Sequence, residues 1–235
     1  MNLSEVTKLF AFTAGGFILS VSAYAITDFT ETFETDASGW LNGENPAGPV
    51  TWNPTGGVGN SSYISYTPPA FNSGGGGFGG DPLRLLFRAN DSNNASDDAF
   101  VGDWVSSNVE SFSVDIRHNH TESLNFYARF AANESGGGAS MANNSLYAVA
   151  SDTWTTVTVD IEDANPPFSS YGSSGSFNNV FSSIINMQLG LYLPGNTQFD
   201  SLTVDLDNVS VTVPEPASLG VMGLMLGGLL SRRRA

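Results

Sequence analysis

Cysteine is absent from all 235 residues, so the chain can build no disulfide, thiolate metal site or cysteine nucleophile. Positive charge is nearly as scarce: eight lysines and arginines stand against 23 acidic residues, a net charge of −15. So anionic a surface repels phosphate backbones, which excludes non-specific nucleic-acid binding. His118 and His120 are the two histidines, and no strained G-x-S-x-G elbow accompanies them, which leaves a Ser-His-Asp hydrolase without its parts. No amphipathic helix of ordinary length is legible. What the chain does have is 26 glycines, many Ser, Asn and Thr residues, and short segments in which apolar and polar residues alternate.

The two ends read as addresses. A polar start ending in Lys8 leads into an apolar run through Leu19 and then to Ala23-Tyr24-Ala25. The run is shorter than the roughly 20 residues that span a bilayer, and the small-x-small triplet suits signal peptidase. Residues 1–25 are therefore expected to be a signal peptide cut after Ala25. At the other end Pro214-Glu215-Pro216 precedes an apolar, Gly-rich stretch over 217–230 and then Arg232, Arg233 and Arg234. Fourteen helical residues reach about 21 Å, short of the roughly 30 Å hydrocarbon core, which suits temporary retention with the arginines in the cytoplasm.

This tripartite tail, over 214–235, resembles the PEP-CTERM sorting signal of Gram-negative bacteria. The resemblance implies export, transient anchoring in the inner membrane and processing by an exosortase, usually in organisms that make exopolysaccharide.

Between the ends, residues 26–213 hold 21 acidic residues and four arginines (Arg84, Arg88, Arg117, Arg129), with no lysine. Alternation recurs at 83–85, 112–116, 124–130, 154–161 and 202–206, separated by Gly and Pro breakers. Nine or ten short strands of this kind predict an all-β, antiparallel two-sheet sandwich of jelly-roll type, large enough to bury one core without a cofactor. Its four tryptophans are expected in the core or at sheet edges.

With Thr32-Phe33-Glu34 and Gly39-Trp40 at its opening and Leu206-Asp207-Asn208-Val209-Ser210-Val211 at its close, the body is also similar to galactose-binding-like jelly rolls, which include carbohydrate-binding modules. The opening segment resembles their first strand and the closing segment their last. Gly102-Asp103-Trp104 through Val114-Asp115-Ile116-Arg117 resembles the laminin B-type members. The resemblance implies one structural calcium with Glu34 and Asp207 as carboxylate ligands and backbone carbonyls completing the shell. As solvated strand ends the two would need no ion.

Segments 111–118 and 123–130, joined through Asn119-His120-Thr121, predict a hairpin pairing Ile116 with Phe126. Asp115, Arg117, Asn125, Tyr127 and Arg129 would then share its outward face. A ring beside planar hydrogen-bonding groups is the chemistry of sugar recognition; the alternative is a set of ordinary cross-strand pairs. His118 and His120 share a strand face and could chelate a metal if Glu122 joined, or form a plain turn. Retaining glycosidases need two carboxylates about 5 to 5.5 Å apart, and the spacing of Glu31 and Glu34 throws them to opposite faces. A non-enzymatic, exported protein that binds or organises exopolysaccharide is the expectation. A purely structural matrix protein and a secreted polysaccharide hydrolase are its alternatives.

Overall fold

The computed structural model describes residues 25–72, 83–133, 139–143, 145–162, 168–170, 175–195 and 197–214. The residues before Ala25, expected to form a signal peptide and including Ala23, and the tail from Glu215 through Arg232, Arg233 and Arg234 lie outside them. Among the described residues no helix is long and apolar enough to cross a membrane.

The strands are β1 (Phe29–Glu31), β2 (Leu41–Asn42), β3 (Thr51–Asn53), β4 (Tyr63–Tyr66), β5 (Phe71–Asn72) and β6 (Leu83–Asn90). They continue as β7 (Ser111–His118), β8 (Leu124–Ala131), β9 (Ser140–Asn143), β10 (Tyr147–Val149), β11 (Thr155–Asp160) and β12 (Phe168–Ser170). A one-turn helix α1 (Phe177–Phe181) precedes β13 (Asn186–Tyr192), β14 (Gln198–Phe199) and β15 (Val204–Thr212). They form the expected antiparallel sandwich. One large sheet runs β11-β7-β15-β4-β3 with β1 also on β15, the other runs β12-β9-β8-β13-β6-β2 with β10 also on β8, and β5 and β14 pair apart from both as a two-stranded ribbon.

Alternation explains the core. Phe112, Val114 and Ile116 of β7, with Val157 and Val159 of β11 and Val204, Leu206, Val209 and Val211 of β15, are buried on the inner face of the first sheet. Leu124, Phe126, Ala128 and Phe130 of β8 and Met187, Leu189 and Leu191 of β13 meet them from the second. At one end Trp104, Phe112, Phe130, Phe168 and Phe181 pack edge-on or tilted, with ring centroids 4.9–6.5 Å apart, a geometry aromatic quadrupoles favour. Helix α1 seals that end, its start capped by Ser176, whose hydroxyl accepts from the Asn179 N–H at 3.3 Å.

Two irregularities interrupt the ladders. β15 has a bulge between Asp207 and Ser210, with Asn208 left-handed at φ +45°, where its outer neighbour changes from β4 to β1. β9 and β10 share one edge of β8, and in the gap Asn143 accepts the Ala128 N–H at 2.7 Å and donates to the Ser145 carbonyl at 2.9 Å.

The structure corrects the expected hairpin. β7 pairs with β11 and β15, whereas β8 pairs with β13, β9 and β10. The link over 119–123 therefore carries the chain from one sheet to the other, and the two strands face each other across the core.

Candidate functional site

Because β7 and β8 lie in different sheets, the five residues expected on one face occupy two. Asp115 and Arg117 lie on the outside of the first sheet; Asn125, Tyr127 and Arg129 lie on the outside of the second.

On the second sheet the register sets Gln188 beside Arg129 and Tyr192 beside Asn125. Arg129 donates to Gln188 Oε1 at 3.1 Å and to Ser140 Oγ at 3.1 Å, and the Tyr127 and Tyr192 rings meet edge-on at 5.2 Å. Tyr127 and Arg129 are only 1% and 5% exposed, so they form a packed polar layer with Leu85 and Ala142 and not the open ring platform the alternation suggests.

The first sheet carries an accessible cluster. Arg117 binds Asp205 on the adjoining strand through Nε at 2.8 Å and Nη2 at 2.7 Å. Its guanidinium also lies 4.5 Å over the Trp154 ring and 5.4 Å from the Tyr63 ring, and those two rings meet edge-on at 5.6 Å. Trp154, one residue before β11, and Tyr63, the first residue of β4, are both half-buried. The Trp154 indole N–H donates to the Gly56 carbonyl at 3.2 Å, which holds the ring beside the 56–61 loop. Asn53, Ser65 and Thr51 continue this face, with Asn53 donating to Ser65 Oγ at 3.0 Å. Two rings astride a forked cation, bordered by amide and hydroxyl groups, offer a stacking surface with hydrogen-bond donors at its rim. Burial pushes the Asp205 carboxyl above its ordinary value, and the Arg117 bond and charge pull part of that back.

Asp115 is a strut of this face. Its carboxylate accepts from the Thr156 hydroxyl and from Asn208 Nδ2 at 2.7 Å, and only 8% of the residue is exposed. Trp154 and Tyr63 are the contributions missing from the sequence-derived set. The signal for Trp154 was present: Val157 and Val159 point inward, so the same parity that turns Thr156 outward also turns Trp154 outward.

Asp207 is fully buried beside the β15 bulge, where Oδ2 accepts from the Val58 N–H at 2.9 Å and the Ser61 hydroxyl at 2.8 Å, and Oδ1 from the Asn208 N–H at 2.8 Å. Burial raises its proton affinity; the three donors lower it, and neighbouring Asp115 raises it again. Glu34 is exposed and accepts from Ser62 Oγ at 3.4 Å. It follows Phe33, a buried residue at φ +54° whose N–H is taken by Glu31 at 2.8 Å and whose carbonyl is taken by the Trp52 indole at 2.6 Å. Donors thus point at Asp207 where a cation would need bare oxygens. No group of three His, Cys, Asp or Glu among the described residues could hold a metal. As arranged, Glu34 and Asp207 do not fit a calcium cage, and Asp207 acts as a cap for the 58–61 turn.

The histidines form a turn. His118, 1% exposed, donates from Nε2 to the Val149 carbonyl at 3.0 Å and accepts the His120 N–H on Nδ1 at 3.2 Å, so both ring nitrogens are used. Burial lowers its pKa, ahead of the opposing Val149 bond. His120 packs on Phe199 at 5.0 Å and takes the Glu122 N–H at 3.2 Å. At this same end Glu44 accepts from Arg84 and from the Tyr66 hydroxyl at 3.1 Å, and burial together with Glu44 pushes Tyr66 up to about 12.

Comparison with known proteins adds two findings. The fold is similar to the L4b domain of human laminin alpha-2, at 9% identity and a TM-score of 0.50, over 81% of this chain and 99% of that one. The family 11 carbohydrate-binding module of a Clostridium thermocellum cellulosomal cellulase aligns over 81% of this chain and 96% of its own, at 13% identity and a TM-score of 0.47. A Clostridium thermocellum xylanase 10B fragment holding a family 22 module aligns at 15% identity and 0.44, with 80% of this chain covering 28% of that one. No curated protein matches the sequence significantly. Residues 212–234 match the PEP-CTERM protein-sorting motif, starting on the last residue of β15, and this chain therefore carries the signal for export and membrane-associated sorting with exosortase processing.

Proposed function

We propose that this exported protein binds or organises exopolysaccharide at the cell surface or in the extracellular matrix. Its contact face is the outside of the first sheet, centred on Arg117, Trp154 and Tyr63. The observation that carries the reading is the half-exposed Trp154–Arg117–Tyr63 stack, the one place among the described residues where a guanidinium lies over two rings at a surface. Pyranose C–H faces pack on such rings while hydroxyls reach planar donors and acceptors. Asp205 fixes the guanidinium and Asp115 fixes the strands beneath it, which limits the ordering cost of binding. The anionic body favours a neutral glycan over a polyanionic one.

Affinity electrophoresis of the exported protein against a polysaccharide panel that includes the producer's own exopolysaccharide tests this. Retardation abolished by Trp154→Ala and retained in Tyr192→Ala is expected. Retardation lost in Tyr192→Ala alone would move the site to the second sheet, where Tyr127, Arg129 and Gln188 lie together. No retardation at all would leave a structural matrix role, and turnover of any polysaccharide would make the protein a hydrolase.

A further inference from the structure

Ile26, the residue that would follow signal-peptide cleavage, is seated in the body. It is 6% exposed and belongs to the core. Its backbone N–H donates to Ser107 Oγ at 2.8 Å, and that hydroxyl in turn donates to the Asp103 carbonyl at 2.7 Å. Ala25, just before it, bridges to Asp103 and is exposed. Ala25, Ile26, Thr27 and Phe29 line one side of a cavity of about 400 Å³, whose other wall carries Asp91, Asp97 and Asp98. Asp97 and Asp98 are presented by a left-handed run, at φ +53° and +60°, a conformation that costs roughly 1–2 kcal/mol per non-Gly residue.

Resting on the signal-peptide reading, we infer that cleavage after Ala25 creates an α-ammonium at Ile26 that docks in this carboxylate-lined cavity and pins the mature N-terminus to the domain. In the cleavage, water's hydroxyl goes to the Ala25 carbonyl carbon as the C–N bond breaks. The released Ile26 amine, with an ordinary pKa near 8, takes up protons to become an ammonium at neutral pH. The peptide nitrogen had one N–H, already given to Ser107. The ammonium has two more, available to the cavity that Ala25 and Ile26 line together with Asp91, Asp97 and Asp98. Asp97 already accepts from Asn94 Nδ2 at 3.0 Å and is exposed, and Asp28 is occupied by the Val213 N–H. The net result is one cation seated among carboxylates at the pole where β1 lies beside β15, next to the start of the sorting tail.

The sequence supplies a clean readout. Lys8 is the chain's one lysine, so the processed protein has one primary amine, the Ile26 α-amine. Mass spectrometry of the exported protein first establishes its N-terminus; a start elsewhere than Ile26 would overturn the cleavage reading, and the docking with it. With Ile26 first, acylation by an N-hydroxysuccinimide ester at neutral pH should run at least ~10-fold slower in the native protein than in urea. It should recover most of that rate in Asp97→Asn/Asp98→Asn, substitutions suited to left-handed backbone. Asp152→Asn, a distant exposed control, should change nothing. Equal rates in native and unfolded protein would overturn the docking. Slow labelling that persists in the folded double variant would reduce it to burial of the Ile26 side chain. Should that variant fail to fold, the wild type decides: labelling that accelerates between about 0.05 and 1 M NaCl supports the ionic contact, and salt-independence overturns it.

Discussion

Replacing Asp207 by alanine isolates what the buried carboxylate at the β15 bulge does. The substitution leaves the Val58 N–H, the Ser61 hydroxyl and the Asn208 N–H without their acceptor. Hydrogen bonds to a charged acceptor contribute about 1.5–3 kcal/mol each, but Val58 and Ser61 are half-buried and water can replace part of the loss. Removing a desolvated charge beside Asp115 returns some of the remainder. The net is a destabilisation of ~2 kcal/mol, or about 4–8 °C in Tm for a domain of this size. Thermal melts of wild type and variant, each with calcium and with EDTA, measure it. A cap predicts the drop in the variant and no effect of EDTA on either protein. A wild-type Tm that falls by 10 °C or so with EDTA, joined by an Asp207→Ala protein blind to EDTA, would refute the reasoning and restore the metal.

Other outcomes follow from the same geometry. A Cβ at Gly190 would stand 2.0 Å from the Arg84 carbonyl oxygen and 3.0 Å from Leu85 Cα, backbone atoms that cannot turn aside, so Gly190→Ala should cost ~3 kcal/mol in urea unfolding. His118 is held neutral by burial, so below about pH 6.5 the unfolded chain binds a proton that the native ring refuses. Its stabilising contribution is complete above that pH and is lost as pH falls toward the lower folded value, by up to ~1.4 kcal/mol per unit. His118→Gln should flatten this limb in pH-dependent denaturation. Asp205 has the opposite sign: its raised folded pKa means that stability from this group grows as pH falls below that value toward about 3.9, and Asp205→Asn should remove the trend.

The strands were legible because inward and outward residues alternate: Phe112, Val114 and Ile116, or Phe126, Ala128 and Phe130, declare their periodicity without help. Their pairing was not. An apolar stripe reads the same whether its strand lies beside its sequence neighbour or faces it across a core, and the link over 119–123 has the length of a hairpin loop. That ambiguity merged Asp115 and Arg117 with Tyr127 and Arg129 into one face. Asp207 shows a second limit, since its strongest partners come from a turn 146–149 residues away in sequence and no local pattern announces them. Pattern also mistook Tyr127 for a surface ring, because strand parity gives the side of a sheet and says nothing about what packs on that side.

The indole N–H groups offer the most direct test of the binding face. Trp40, Trp52 and Trp104 donate to Ser96 Oγ, the Phe33 carbonyl and the Phe100 carbonyl, and two of these rings are 1% exposed, whereas Trp154 donates to Gly56 at the surface. In a ¹⁵N-labelled protein titrated with the producer's exopolysaccharide, the account predicts a saturable shift of the Trp154 indole signal while the other three stay in place. Saturable binding that leaves the Trp154 signal unmoved would contradict it.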